Sequence, residues 1–297
     1  MSLYPRENYL KKIRGFYHET DLIKVITGVR RCGKSSLMVT IAEEIVNGGI
    51  PKENIFYFDL DSRGYKHIKT VAQLEDLLAK CDEIEGIKYL FIDEVQNVEG
   101  FEEVINAFRG DGNYSIFITG SNSYLLSGEL VTKLTGRYIE FEMRTLSFEE
   151  YIGMKKYYGK EMSANLTEEL DKYIYNGGFP RTIFLDSDDD KRTYVDNVIE
   201  EIFEKDIKRR VKVNNVAALK KVQTYIINNF GATCSLNGIL VELKKAGMEI
   251  KLETLNRYIN ILKDAKSLYE CNRFDMKSKQ SISGEQKYYL ADLGFYM

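Results

Sequence analysis

The stretch LIKVITGVRRCGKSSLM, residues 22–38, constrains the fold more than any other part of the chain. A short apolar run precedes a glycine-rich turn that ends in Gly33, Lys34 and Ser35, and apolar residues at helical spacing follow it. Together with Gly28, this turn meets the pattern G-x-x-x-x-G-K-[ST], in the strand-before, helix-after context that a phosphate-binding loop requires. The stretch therefore predicts a strand, a loop that binds nucleotide phosphates, and a helix.

A loop that turns successive backbone N–H groups inward can hold the closely spaced charges of a triphosphate. We expect Lys34 to contact the β and γ phosphates and the Ser35 hydroxyl to bind the Mg²⁺ that bridges the same oxygens. Of the two loop arginines, one is expected to contact nucleotide or a partner and the other to face solvent, while Cys32 is predicted to be a small filler. The predicted nucleotide-binding residues of the loop are Gly28, Arg30, Arg31, Cys32, Gly33, Lys34, Ser35 and Ser36.

A second motif, YLFIDEVQ, is an apolar strand that ends in Asp93 and Glu94. The pattern is typical of a Walker B site, in which Asp93 would hold magnesium and Glu94 would activate water. Glu94 favours hydrolysis over phosphoryl transfer to a substrate, because it can orient and deprotonate an attacking water. The alternative is an ordinary solvated strand end.

Five short apolar runs alternate with helical patterns in the first 145 residues, which predicts an α/β fold with a parallel sheet. Ligands on such sheets lie at the carboxyl ends of the strands, where the glycine loop falls. We expect the strand order 5-1-4-3-2 of a P-loop NTPase and a core domain over residues 1–145. The runs are IKVIT, IFYFD, IKYLFID, YSIFIT and YIEFE.

The fourth run leads into ITGSN, and a polar residue there would lie between the tips of the first and third strands. Asn122 is the preferred candidate to contact the γ phosphate, with Thr119 and Ser121 as lesser ones. As a structural feature alone, TGSN is a capped strand-to-helix turn.

Beyond residue 145 the pattern is helical, and we predict a helical lid over 146–195 and a connector helix over 196–213. Residues 214–297 read as three helices followed by a strand pair, the order of a winged-helix domain. Its third helix would expose residues to DNA, with Lys277 and Lys279 in the wing; the alternative is a module that packs on protein neighbours. The exposed helix residues would be Thr254, Asn256, Arg257, Asn260 and Lys263.

Charge is distributed unevenly along the 297 residues. Residues 205–297 carry 17 Lys and Arg against 9 Asp and Glu, although the whole chain has a net charge of −3. Such asymmetry favours a polyanion such as DNA as a partner of the C-terminal part, and a basic face packed on an acidic one is the alternative. The sequence has no apolar run long enough to span a membrane and no signal peptide, so a cytoplasmic protein is expected.

The motifs GVRRCGKSSL, FIDEVQ, ITGSNSYLLSGELVTKLTGRYIEFE and LSFEEYI together resemble the AAA-type ATPases of bacteria and archaea that carry a C-terminal domain of unassigned function. These proteins are related to the archaeal ATPase and STAND groups. The resemblance implies a nucleotide-dependent switch in which Asn122 is similar to a sensor-1 residue. It also places Arg137 like an arginine finger that completes the site of a neighbouring subunit, which implies a homo-oligomer. Alternatively, Arg137 is a surface partner for acids such as Glu140 or Glu142.

The turn NGGFPR resembles the Gly-Gly-x-Pro turn of the family's helical lid. The resemblance implies that Pro180 lies near adenine and that Arg181 reaches the phosphates as a sensor-2 group; the alternative is a helix C-cap followed by proline. Family members usually continue past YYLADLGFY into a nuclease-like domain, so the resemblance implies a truncated chain or a shortened relative.

These patterns lead to one main hypothesis, an ATPase whose Mg-ATP binding and hydrolysis alter contact with DNA or a protein partner. A nucleotide-binding switch with little turnover is one alternative. A DNA-binding regulator that uses nucleotide as a structural cofactor is the other.

Overall fold

A computed structural model describes residues 2–120, 134, 136–208, 215–275 and 280–296, without the side chains of 275 and 280–285. The chain divides into two compact units. One unit comprises Met1–Gly28 and Cys32–Arg144, and the other comprises Val29–Arg31 and Thr145–Met297. Three residues of the glycine loop therefore group with the second unit.

The first unit is built on a five-stranded sheet in the order β2-β3-β4-β1-β5. All neighbouring strands are parallel, with Ile92 of β3 beside Ile118 of β4 and Asp59 of β2 beside Asp93. This order confirms the predicted 5-1-4-3-2 sheet. The strands are β1 (Ile23–Gly28), β2 (Ile55–Asp59), β3 (Lys88–Asp93), β4 (Tyr114–Thr119) and β5 (Tyr138–Met143).

The strands β1, β3 and β4 are buried along their whole length. Strands covered on both faces need nearly continuous apolar sequence, as the runs that predicted them have. Phe91 and Phe117 stack across β3 and β4 with ring centroids 4.7 Å apart, and Tyr57 stacks on Phe91 at 6.1 Å. The helices around the sheet are α1 (Glu7–Ile13), α2 (Lys34–Asn47), α3 (Val71–Leu78) and α4 (Phe101–Gly110).

The second unit begins with helices whose N-termini are capped by side chains that lie nearby in the sequence. Ser147 and Glu150 form a reciprocal capping box at the first helix, and Ser187 accepts a hydrogen bond from the Asp190 backbone at the third. A π-helix, Ile202–Lys208, follows the third helix directly. The helices are α5 (Phe148–Tyr157), α6 (Leu166–Asn176) and α7 (Asp188–Glu201), with a 3₁₀ turn at Pro180–Phe184.

The C-terminal part of this unit has the order helix, strand, helix, helix, strand, strand. Its antiparallel sheet has the order β6-β8-β7, so the short strand β6 pairs with the second strand of a hairpin. No described helix of the protein is both long and apolar enough to cross a lipid bilayer. The elements are α8 (Val216–Asn228), β6 (Thr233–Cys234), α9 (Leu236–Lys245), α10 (Leu252–Asp264), β7 (Leu268–Asp275) and β8 (Gln280–Leu290).

A buried carboxylate near the end of the chain holds the NGGFP turn. Asp292 accepts hydrogen bonds from the backbone N–H groups of Gly178 and Gly294, each at 2.8 Å. A Cβ atom on Gly177, whose φ is +75°, would lie 1.9 Å from Asp292 Oδ1. Glycine is therefore needed at 177 both for its backbone conformation and for the close approach of the carboxylate.

Candidate nucleotide-binding site

The glycine loop joins β1 to α2 as the sequence predicted. Gly33 precedes the first turn of α2 in the left-handed conformation, with φ at 108°, where a side chain would be strained. A Cβ atom on Gly28 would lie 2.0 Å from the carbonyl oxygen of Met143 on β5. Glycine is therefore required at 33 for the backbone conformation of the turn, and at 28 for the close approach of β5.

The first turn of α2 fits a polyphosphate by its chemistry. Within the described part of the chain, no side chain accepts a capping hydrogen bond at this helix end, where the first N–H groups have no partner inside the helix. The Lys34 ammonium group is buried and donates to the carbonyl of Gly28 at 3.0 Å, across the mouth of the loop. Ser35 and Ser36 are exposed on the same turn. A helix N-terminus with one lysine and two exposed hydroxyl groups is a suitable donor set for an anion.

Cys32, the last variable residue of the loop, is fully buried, and its thiol lies 3.5 Å from the Met143 carbonyl oxygen. Burial raises the pKa of the Cys32 thiol, so the side chain stays protonated. The Arg6 guanidinium donates to the carbonyls of Cys32 and Arg144 at 3.1 and 2.8 Å. Cys32 therefore packs as a small apolar residue while Arg6 fixes the main chain around it.

The Tyr57 hydroxyl connects Asp93, at the end of β3, with the main chain of Ser35. The Tyr57 hydroxyl on β2 is 3.2 Å from Asp93 Oδ2 and 3.5 Å from the Ser35 carbonyl oxygen. Burial and the nearby Asp93 carboxylate raise the pKa of Tyr57, so this hydroxyl remains a donor. Among the described residues no group of three or more His, Cys, Asp or Glu side chains forms a metal cluster. Mg²⁺ needs none, because it keeps several waters and takes one or two protein oxygens.

Polar contacts link Asp93 and Glu94 to the next strand. The Thr119 hydroxyl donates to Asp93 Oδ1 and accepts a hydrogen bond from the Glu94 N–H at 3.0 Å. The Gln96 amide donates to Glu94 Oε2. Sequence reasoning missed Tyr57 and Gln96, and it placed Thr119 below Asn122, which lies outside the described residues together with Ser121. The register could have indicated Thr119, because Ile92 and Ile118 are paired and Asp93 and Thr119 are the residues that follow them.

Both variable arginines of the loop are bound to carboxylates within the second unit. Arg30 makes two 2.9 Å hydrogen bonds to Asp206, whose side chain is fully buried. Arg31 is half exposed, adopts φ = 67°, and pairs with Glu201 at 3.0 Å. Arg31 is thus the more solvent-exposed of the two, and its guanidinium is also paired with a carboxylate.

Arg137 is exposed and donates to the Asn106 side-chain carbonyl at 3.2 Å. Its partner is an amide of α4, whereas the surface-partner alternative had expected Glu140 or Glu142. Glu140 instead accepts a hydrogen bond from the Thr27 hydroxyl.

In the second unit, Pro180 begins the 3₁₀ turn and the Arg181 guanidinium lies 6.0 Å from the centre of the Phe184 ring. On α10, Asn256, Arg257 and Asn260 are exposed and Thr254 is half-buried.

Lys263 of α10 was expected to be exposed, but this prediction is wrong. It is half-buried and paired with Glu270 of β7, because α10 packs against that strand. Lys277 and Lys279 lie outside the described residues.

The sheet order and the loop between β1 and α2 define the P-loop ATPase class of α/β folds. A family model described as an AAA domain matches residues 20–152, and one described as a domain of unknown function (DUF8612) matches residues 167–297. The chain belongs to the family of proteins that join these two domains, as its relatives indicate.

An uncharacterized protein of Haemophilus influenzae is 34% identical over 295 residues, which cover 99% of this chain and 72% of that protein. The uncharacterized protein MJ1544 of Methanocaldococcus jannaschii is 31% identical over 262 residues, 86% of this chain and 58% of that protein. Among solved structures, the Walker-type ATPase PABY2304 of Pyrococcus abyssi superposes with a TM-score of 0.67 at 15% identity, over 99% of this chain and 95% of that one. This likeness shows a shared fold.

Proposed function

We propose that the protein binds ATP with Mg²⁺ and hydrolyses it. The observation that carries the proposal is that the Tyr57 hydroxyl contacts both Asp93, at the end of β3, and the main chain of Ser35, in the first turn of α2. Lys34 lies over the loop, and Tyr57 connects Asp93 to the main chain of Ser35. Membership of an AAA-domain family and the fold of a Walker-type ATPase support the same proposal.

In this proposal the phosphates lie against the first turn of α2, and Lys34 exchanges its bond to Gly28 for one to a phosphate oxygen. Ser35 and Asp93 would hold Mg²⁺, which neutralises charge on the bridged phosphate oxygens. Glu94 accepts a proton from water as the water oxygen bonds to the γ-phosphorus. The bond from that phosphorus to the bridging oxygen breaks, and ADP and inorganic phosphate are released.

Two variants test this function against a matched control. We expect Glu94→Gln to bind nucleotide like the parent but to release phosphate roughly 10² to 10⁴ times more slowly, because the general base is lost. Lys34→Ala should lose nucleotide binding itself. Glu99→Gln, which removes an exposed carboxylate from the following turn, should leave both binding and phosphate release unchanged.

The assay combines titration with a fluorescent ATP analogue and a phosphate-release assay, both with Mg²⁺ present. Equal and negligible phosphate release by the parent and Glu94→Gln would reject the enzyme. If binding still depended on Lys34 in that case, the result would favour a nucleotide switch with little turnover. If Lys34→Ala binds the ATP analogue as tightly as the parent does, the proposed nucleotide site is rejected.

A second candidate function, contact with duplex DNA, is favoured by the C-terminal part of the second unit. The order helix, strand, helix, helix, strand, strand supports a winged-helix domain in which α10 is the recognition helix. Asn256, Arg257 and Asn260 are the exposed polar residues that would meet DNA. Lys263 is left out of this set, because it is paired with Glu270.

Salt dependence tests the DNA contact. We expect binding of duplex DNA to weaken steeply as salt rises, and Arg257→Ala to weaken it and lower the salt slope by about 1, as loss of one phosphate contact does. Lys52→Ala, which removes an exposed cation from the first unit, is the control and should change neither quantity. DNA binding that is absent, or insensitive to salt and to Arg257→Ala, would reject this role.

The same proposal includes three further roles. Arg137 would complete the site of a neighbouring subunit, Pro180 would lie near adenine, and Arg181 would lie near the phosphates. The exposure of Arg137 and Arg181 is compatible with these roles. A homo-oligomer would be the assembly that brings Arg137 to a second nucleotide.

A further inference from the structure

Gln96 is bound to the proposed general base in a defined orientation. Its side-chain nitrogen donates to Glu94 Oε2. An ionised carboxylate can only accept hydrogen bonds, so the amide nitrogen has to face Glu94 and the amide oxygen has to point elsewhere. The contact therefore fixes both atoms of the amide.

The other end of this amide is buried without a hydrogen-bond donor. Gln96 Oε1 is sealed from solvent and has no partner among the residues that the structure describes. A buried acceptor without a donor is unfavourable, and few remain in native proteins. The hydrogen bond that the amide nitrogen donates to Glu94 is favourable, and the buried oxygen offsets part of that gain. A residue that breaks a local stability rule in this way is expected at a functional site.

The main chain of Glu94 is held as firmly as its side chain. The residue adopts the left-handed conformation with φ = 55°, which is uncommon for a non-glycine residue and tends to occur at active sites. Its N–H group donates to Thr119, and the 3₁₀ turn Val95–Asn97 that carries Gln96 follows at once. Thr119 thus holds the main chain of Glu94, and Gln96 holds one oxygen of its carboxylate.

We propose that Gln96 is a positioning residue for Glu94, an inference that rests on the proposed ATPase function. Its amide N–H holds one carboxylate oxygen, which leaves the other oxygen to take a proton from the attacking water. In the step itself, one water proton moves to Glu94, the water oxygen bonds to the γ-phosphorus, and the bond to the bridging oxygen breaks with its electron pair leaving on ADP. Gln96 exchanges neither protons nor electrons.

Gln96→Met tests the proposal, because methionine keeps the length of the side chain and removes both polar atoms. We expect kcat for ATP to fall roughly 10- to 100-fold, as misplaced catalytic groups cause. The Kd of a fluorescent ATP analogue should stay within about twofold of the parent. Tm should stay close to that of the parent, because the lost hydrogen bond to Glu94 is offset by removal of a buried acceptor that has no donor. Asn97→Ala, in the same turn, is the matched control and should leave kcat unchanged.

A double-mutant cycle separates positioning from a merely structural role. In the Glu94→Gln background, Gln96→Met should cause no further loss of the residual rate, because its effect passes through Glu94. A lower Tm together with equal losses in both backgrounds would overturn the proposal in favour of a structural role. A raised kcat would overturn it in favour of a brake on Glu94.

The failures of the two proposals can be told apart. If Glu94→Gln hydrolyses ATP at the parent rate, the ATPase mechanism fails and the role of Gln96 fails with it. If Glu94→Gln is inactive while Gln96→Met hydrolyses like the parent, the ATPase function stands and only the role of Gln96 is rejected.

Discussion

Side chains of β2, β3 and β4 form a continuous chain of hydrogen bonds around Asp93. Tyr57 and Thr119 donate to the two oxygens of Asp93, and Thr119 also accepts from the Glu94 backbone. Asp93 is only 3% exposed, so its charge has little access to water and depends on these donors. Thr119 is fully buried and bonds both neighbouring acids through one oxygen.

We therefore expect Thr119→Val to lower the free energy of unfolding by about 2–3 kcal/mol, the cost of removing a hydrogen bond from a buried charged group. Valine keeps the branched shape of threonine and removes only its hydroxyl. Thr119→Ser, which keeps the hydroxyl, should lower the free energy of unfolding clearly less than Thr119→Val does. Urea unfolding of the two variants measures the difference, and equal stability of both would show that the hydroxyl does not support Asp93.

The same residues show what sequence can predict at this scale. Lys34, Ser35, Asp93 and Glu94 stand at fixed spacing in motifs, so their neighbourhood can be predicted without a structure. Tyr57 and Gln96 lie in no such motif. Tyr57 reaches Asp93 only because β2 pairs with β3, and Gln96 reaches Glu94 only through the 3₁₀ turn between them.

Among the elements, long apolar runs were predicted well and short or irregular ones were missed. The strands β1, β3 and β4 follow nearly continuous apolar sequence, which burial on both faces requires, and β2 and β5 are shorter or more polar runs that are only partly buried. The strand β6 has two residues, too few for a periodic signal. The π-helix Ile202–Lys208 was predicted only as part of a connector helix, because its sequence keeps an ordinary helical composition.

The turn held by Asp292 gives a prediction for pH dependence. Burial raises the pKa of Asp292 to about 6 from 3.8, although hydrogen bonds from Thr145 and the Gly178 and Gly294 backbones lower it. Between these values the folded state binds the proton and the unfolded state does not, so this group makes stability fall as pH rises from about 4 to 6. The contribution is about 3 kcal/mol over that window.

Asp292→Asn should remove this contribution, so that the free energy of unfolding falls less between pH 4 and pH 6.5 than it does in the parent. Asp189→Asn, an exposed acid at the start of α7, is the control and should keep the parent's slope. Urea unfolding across this pH range measures both. Identical slopes for the parent and Asp292→Asn would contradict a raised pKa at this site.

At the scale of the whole molecule, the sequence predicted a nucleotide-binding core followed by helical and basic parts. The family comparison agrees with an AAA domain followed by a second domain. The assignment of Val29–Arg31 to the second unit was not predicted. The spacing of the motif predicts only that residues 28–35 form a loop. The assignment of Val29–Arg31 to the second unit depends on ion pairs with Asp206 and Glu201, which are far away in the sequence.

Those two carboxylates stand five positions apart, a separation that turns about 140° past a full circle on an ordinary α-helix. In a π-turn, which closes i to i+5, the same separation returns nearly to the starting side. The π-helix after Glu201 thus allows two carboxylates on one side of the helix to bind the guanidinium groups of two consecutive arginines. Deletion of one residue between Glu201 and Asp206 would turn the Asp206 side chain away from Arg30, and only the ion pair between Arg31 and Glu201 would remain.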